Sequence, residues 1–244
     1  MTSQGGGHRW ARGSGFRACG GGVALGLGVV LSGGAPVTPY GAISQEDSKV
    51  EEVVIRPADL LDGTHERLHG ETRYQLVEVD GRTAIRARCE ASASGLWVEV
   101  SVDLHETPVI EWDWRVDETY PDTIDETVRS GDDFPARVYV VDESRLFWRT
   151  RAMNYVWASS QPKGADWPNA YQRRVRMLAV RSGPPPGPGE WSRERRNIRA
   201  DFADLHDEAV DRIDGVGIMT DCDDLGTQGE AWYGTIRFRA EGEG

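Results

Sequence analysis

The chain predicts an all-β fold, a jelly-roll-type β-sandwich with one short helix. Three observations carry that prediction. Many short stretches alternate apolar with polar residues at a period of two, turn-forming residues separate them, and a single stretch has a helical period. Residues 109–116 (VIEWDWRV) are the clearest case. Ile110, Trp112, Trp114 and Val116 fall on one face, while Glu111, Asp113 and Arg115 fall on the other.

From the N-terminus, Arg9, Arg12 and Arg17 form a basic, acid-free segment. An apolar run over 23–31 and the small residues Gly33-Gly34-Ala35 follow, so residues 1–35 read as a signal peptide. The run is far shorter than the ~20 residues needed to span a bilayer. Cys19 precedes the run, which argues against a lipid anchor. Residues 36–52 read as a linker and 53–240 as a single sandwich domain.

Within that domain, strands at 74–79 and 83–89 flank Asp80-Gly81, a strong hairpin signal. Residues 96–104 alternate, with Val98, Val100, Val102 and Leu104 opposite Glu99, Ser101 and Asp103. After the 109–116 strand comes an acidic loop over 117–133. Strands at 136–141, 154–159 and 175–181 follow. The segment GPPPGPG (183–189) cannot join a ladder, because proline lacks the N–H and glycine resists ordering. Ile198, Phe202 and Leu205 at i, i+4, i+7 predict the helix near 195–205. Residues 213–238 read as two closing strands around an acidic turn holding Asp221, Asp223 and Asp224.

The formal net charge is −12, and loss of the three leader arginines gives −12 − 3 = −15. Such a chain repels phosphate backbones and anionic lipid surfaces, so nucleic acid is not an expected partner. No apolar stretch after the leader is long enough to be a transmembrane helix. There is no βαβ alternation and no glycine-rich phosphate loop. The leader points to a periplasmic or secreted protein. Past it, Cys89 and Cys222 form one disulfide or remain two separate thiols.

Several constellations could carry chemistry. His65-Glu66-Arg67-Leu68-His69 matches the H-E-x-x-H zinc pattern, which needs a helix of several turns. Gly63 and Gly70 bracket it closely, so the match reads as accidental, in a surface turn. Asp132 and Asp133 precede one strand, and Asp221 and Asp223 follow another. If the two loops meet, their oxygens could hold calcium; otherwise these residues cap turns. Arg137 and Trp157 are the remaining candidates for a ligand site, in which an aromatic wall and a guanidinium line one groove. The competing reading makes Trp157 core and pairs Arg137 with Asp113 or Glu111 across the sheet. Glu99/Asp103 and Glu111/Asp113 could serve as the paired acids of a glycosidase if their strands are neighbours. No serine or cysteine sits in a nucleophile elbow.

The segments GDDFPARVYV (131–140), NYVWAS (154–159), GEWSRERRNIRADF (189–202), GIMTDCDD (217–224) and AWYGTIRF (231–238) occur in an order that resembles bacterial domain-of-unknown-function family 3047. WDWRV (112–116) is similar to that family's tryptophan strand. The chain departs from the family pattern at Cys222, where Thr is usual, and in its acidic 106–126 region. The resemblance implies an exported bacterial protein and supplies no catalytic residues. Residues 72–74, the Asp80-Gly81 turn and 91–100 also look like the opening strands of carbohydrate-binding jelly rolls. The expectation is therefore a non-catalytic module for a saccharide or envelope glycan. A glycoside-acting enzyme on the same fold and a structural envelope protein are the alternatives.

Overall fold

The computed structural model describes residues 51–143, 150–187 and 189–242. The predicted leader and residues 36–50 of the predicted linker lie outside them. The chain begins with β1 (Val53–Ile55), α1 (Pro57–Leu61), β2 (Thr64–His69), β3 (Arg73–Val79) and β4 (Arg82–Glu90). It continues with β5 (Ala93–Asp103), β6 (Val109–Val116), β7 (Ala136–Asp142), β8 (Arg151–Ala158), β9 (Asp166–Pro168) and β10 (Val175–Ser182). It closes with β11 (Ser192–Asn197), α2 (Ile198–His206), β12 (Arg212–Asp221) and β13 (Gln228–Arg239).

Two sheets pack as a jelly-roll-type sandwich. One has the order β11-β6-β13-β4-β3, with β1 also paired to β13; the other runs β2-β5-β12-β7-β8-β10-β9. From β4 to β7 each successive strand crosses to the opposite sheet, as do β11, β12 and β13. Among the described residues one pair, β8 with β10, is parallel.

The core between the sheets is where the alternation puts it. Trp112 and Trp114 meet edge to face at 5.4 Å, and Tyr155 and Trp157 of the facing sheet lie 5.3 Å and 5.8 Å from them. All four are essentially fully buried. Burying such rings contributes large apolar area together with favourable ring geometry. The Asp80-Gly81 hairpin has φ of 53° and 71°, the doubly left-handed turn that matches strand twist. In α2, Asn197 accepts a hydrogen bond from the Ala200 N–H at 3.0 Å, and Ile198 and Phe202 are buried.

Three elements differ most from expectation, besides the unforeseen short strand β9. The H-E-x-x-H segment is neither helix nor turn but strand β2, paired to β5 from Thr64 to His69. His65 hydrogen-bonds Ser94 Oγ at 2.9 Å, while His69 Nδ1 stands 3.4 Å from Asp223 Oδ2, so the two rings have separate partners. Strand β11 (SRERRN) shows no apolar alternation, because its outward arginines pair with carboxylates instead. Arg193 lies 3.1 Å from Asp113 and Arg195 3.0 Å from Glu111. The short helix α1 is the third, with Pro57 at its start and Leu60 buried.

Candidate functional site

The register of the seven-stranded sheet decides which side chains share a face. Trp157 is opposite Ala136 and Arg137 is opposite Val156. Trp157 therefore points into the core and Arg137 points to the sheet's outer face. They cannot line one groove, and Trp157, 1% exposed, is a core residue with its indole N–H bonded to Gly183 O at 2.9 Å. Arg137 does not reach Asp113 or Glu111 either, since those stand on β6 of the other sheet. The same separation removes the predicted acid pairs as a unit. Glu99 lies on β5 and Glu111 and Asp113 on β6, which belong to different sheets.

The remaining predicted residues do converge. Met219 is paired with Arg137, so Asp221, two residues on, shares its face at the sheet's end. Arg137 Nε donates to Asp221 Oδ1 at 2.8 Å, and Nη2 donates to Asp221 Oδ2 and to the Asp132 carbonyl. The guanidinium also lies 4.4 Å over the Phe134 ring, and Phe134 N–H donates to Asp221 at 3.2 Å. Burial pushes the Asp221 carboxyl above its ordinary range, and Arg137 opposes that shift. Asp132 Oδ2 accepts from Asn169 Nδ2 at 2.8 Å, while its Oδ1 makes no hydrogen bond among the described residues and sits 3.8 Å from Arg137 Nη1.

Asp133 clasps the opposite loop. Its two oxygens accept from the backbone N–H groups of Asp224 (3.3 Å) and Leu225 (2.6 Å). Burial raises its pKa to about 6, against the pull of those bonds and of Arg137. Asp133, Asp223 and Asp224 bring oxygens within 4.8 Å of one another, a spacing a hard cation could use. Those carboxylates already have protein partners. Besides the two N–H groups on Asp133, His69 faces Asp223 and the Tyr171 hydroxyl sits 2.6 Å and 2.9 Å from the two oxygens of Asp224.

The sequence reading missed Tyr171. It is 47% exposed, with the Arg129 guanidinium 5.0 Å from its ring centroid. Asn169 Oδ1 accepts from the N–H groups of Tyr171 (3.0 Å) and Gln172 (2.9 Å), a local asparagine turn that sets the ring's position. The Pro-Asn dipeptide at 168–169 was the available signal. The disulfide Cys89–Cys222, with Cα atoms 6.1 Å apart, ties β4 to the residue after Asp221 and so crosses from sheet to sheet at this rim. A cleft of about 550 Å³ lies along Cys89 and Tyr120. Among its wall charges, Asp117 pairs with Arg115 and Glu230 with Arg86 and Arg88.

Fold and site together define a jelly-roll-type sandwich with an aromatic and carboxylate rim at one end of its seven-stranded sheet. The chain belongs to the family described as Protein of unknown function (DUF3047), which it matches over residues 63–237. No curated protein matches it in sequence. Among solved structures it is similar to the glycoside hydrolase domain of Endo-D from Streptococcus pneumoniae R6, at a TM-score of 0.35 and 7% identity, covering 73% of this chain and 22% of that one. It is also similar to the low affinity xylan binding module CBM86 from Roseburia intestinalis, at a TM-score of 0.30 and 11% identity, covering 78% of this chain and 96% of that one. No helix among the described residues is long and apolar enough to cross a membrane.

Proposed function

We propose that the protein is an exported, non-catalytic module that binds a saccharide at this rim. The observation that carries the reading is Tyr171, an exposed ring whose hydroxyl is held by both oxygens of Asp224 beside Asp223 and His69. A ring fixed in this way offers its face away from Arg129 as a stacking surface to sugar C–H groups, and the neighbouring carboxylates can accept hydrogen bonds from sugar hydroxyls. The predicted residues Asp132, Asp133, Arg137 and Asp221 act one layer below. They hold the two loops that carry the rim, and Asp223 belongs to the rim itself.

Export is supported by the Cys89–Cys222 bridge, since disulfides persist in oxidising compartments. The basic, apolar, small-residue order of the first 35 residues supports it independently. Both features support a periplasmic or secreted location. The test is a glycan array with wild type, Tyr171→Ala and Asp224→Asn. Saturable binding that both substitutions abolish, at unchanged melting temperature, supports the module. Binding that survives both removes the rim from the argument.

A further inference from the structure

The cleft along Cys89 and Tyr120 shares its loops with the rim. The turn after β12 carries Asp223 and Asp224 at the rim and Thr227 in the cleft wall. The turn after β2 places Glu71 in that wall, two residues past His69, which faces Asp223. The floor is fastened to the same strand end as the rim. Tyr120 is 7% exposed and donates its hydroxyl to the Asp221 carbonyl at 2.6 Å. A Cβ on Gly229 would come within 2.2 Å of that hydroxyl and 3.1 Å of Cys89 Sγ. Glycine at 229 therefore makes room for the ring beside the Cys89–Cys222 bridge. A floor held in this way is already ordered when a ligand arrives. The volume, about 550 Å³, falls within the roughly 300–1,000 Å³ of small-ligand sites.

The cleft wall carries hydrogen-bonding groups of both kinds that the protein leaves unspent. Glu71, Asp117 and Glu230 are each paired with an arginine outside the wall, Arg67, Arg115 and Arg86. Arg73 stands directly opposite Arg88 in the β3–β4 ladder. Like charges so placed repel, and the one carboxylate near them, Glu230, lies 3.5 Å from Arg88 with the same oxygen already held by Arg86. Arg73 makes no ion pair, and the Glu90 and Glu118 carboxylates make no ion pair or hydrogen bond, among the described residues. Gln228 adds an amide with both a donor and an acceptor. Two guanidiniums and two free carboxylates leave this part of the wall balanced in charge. A bound anion would face Glu90 and Glu118, and an ammonium would face Arg73 and Arg88. A hydroxyl donates and accepts at once, so a polyol can use both sets.

We infer that the cleft is a second subsite for the saccharide of the rim, taking an uncharged, hydroxyl-rich stretch of it through Arg73, Arg88, Glu90 and Glu118. This rests on the saccharide reading of the rim. It specifies a ligand that is neutral in the cleft and long enough to pass over the turn from Asp224 to Thr227.

The test titrates neutral β-linked hexamers of glucose, xylose and mannose, and their dimers, into the full chain by calorimetry. A glucosamine hexamer and a galacturonate hexamer are the charged controls. Wild type is expected to bind a neutral hexamer about tenfold more tightly than its dimer. Arg73→Ala/Glu118→Ala is expected to bring the hexamer down to the affinity of the dimer. Both side chains are exposed, so an unchanged melting temperature separates loss of the cleft from loss of the fold. Equal binding of hexamer and dimer, a hexamer indifferent to the two substitutions, or tighter binding of either charged hexamer overturns this inference. If Tyr171→Ala still abolishes binding in those cases, the rim reading stands. Hexamer binding lost in the cleft variant but kept in Tyr171→Ala overturns the rim reading instead. Failure of every glycan to bind overturns both.

Discussion

Arg137 and Asp221 are 84 residues apart in sequence and form a two-pronged ion pair at the end of adjacent strands, 3% and 2% exposed. Breaking such a pair from one side leaves a buried charge without compensation. Arg137→Met or Asp221→Leu is expected to cost about 3–5 kcal/mol, and the combined Arg137→Met/Asp221→Leu variant less than the sum. Urea unfolding of the four proteins closes the cycle. Additive losses would show that the two groups act independently.

Asp133 makes the rim sensitive to pH. Its carboxyl titrates near the ordinary 3.8 when unfolded and at about 6 when folded. Between those values the folded state holds the extra proton, so its contribution to stability falls as pH rises from about 4 to 6. Asp133→Asn is therefore expected to gain on wild type by roughly 1–3 kcal/mol between pH 4 and pH 7. Melting temperatures of both proteins across that range check the sign.

The bridge from Cys89 to Cys222 closes a separation of 133 residues. Its removal by Cys89→Ala/Cys222→Ala is expected to cost about 2–5 kcal/mol. Because Cys222 sits between Asp221 and Asp223, the loss should also loosen the rim. Hydrogen exchange at Asp224 and Leu225 amides, whose bonds to Asp133 fasten the loop, is the direct readout.

Two aromatic substitutions should separate core from site. Trp157→Ala empties a fully packed position between the sheets and is expected to destabilise by about 3–5 kcal/mol. Tyr171→Ala removes an exposed ring and should leave stability within about 1 kcal/mol while abolishing glycan binding. Denaturation and array data on the same two proteins suffice.

Much of the fold was legible because most strands face the core on one side and solvent on the other. Trp112 and Trp114 announced their face through the charged residues between them. Trp157 did not, because every residue of β8 from Ala152 to Ala158 is buried. A strand covered on both sides carries no period from which to read direction. The acidic corner was legible for a different reason. Asp132, Asp133 and Asp221 stand at strand ends, where loops must gather, and register brings those ends together. Strand β11 was hidden by ion pairs that replace apolar alternation at a sheet edge.

The strand order has a consequence for how the molecule is made. β12 lies between β5 and β7, and β13 lies between β4 and β6, so the last two strands of the described residues each hold an interior place in one of the two sheets. A nascent polypeptide lacking them holds two sets of half-sheets with open edges and a divided tryptophan cluster. Assembly must wait for β12 and β13 to emerge, and truncation before them should abolish the native state outright.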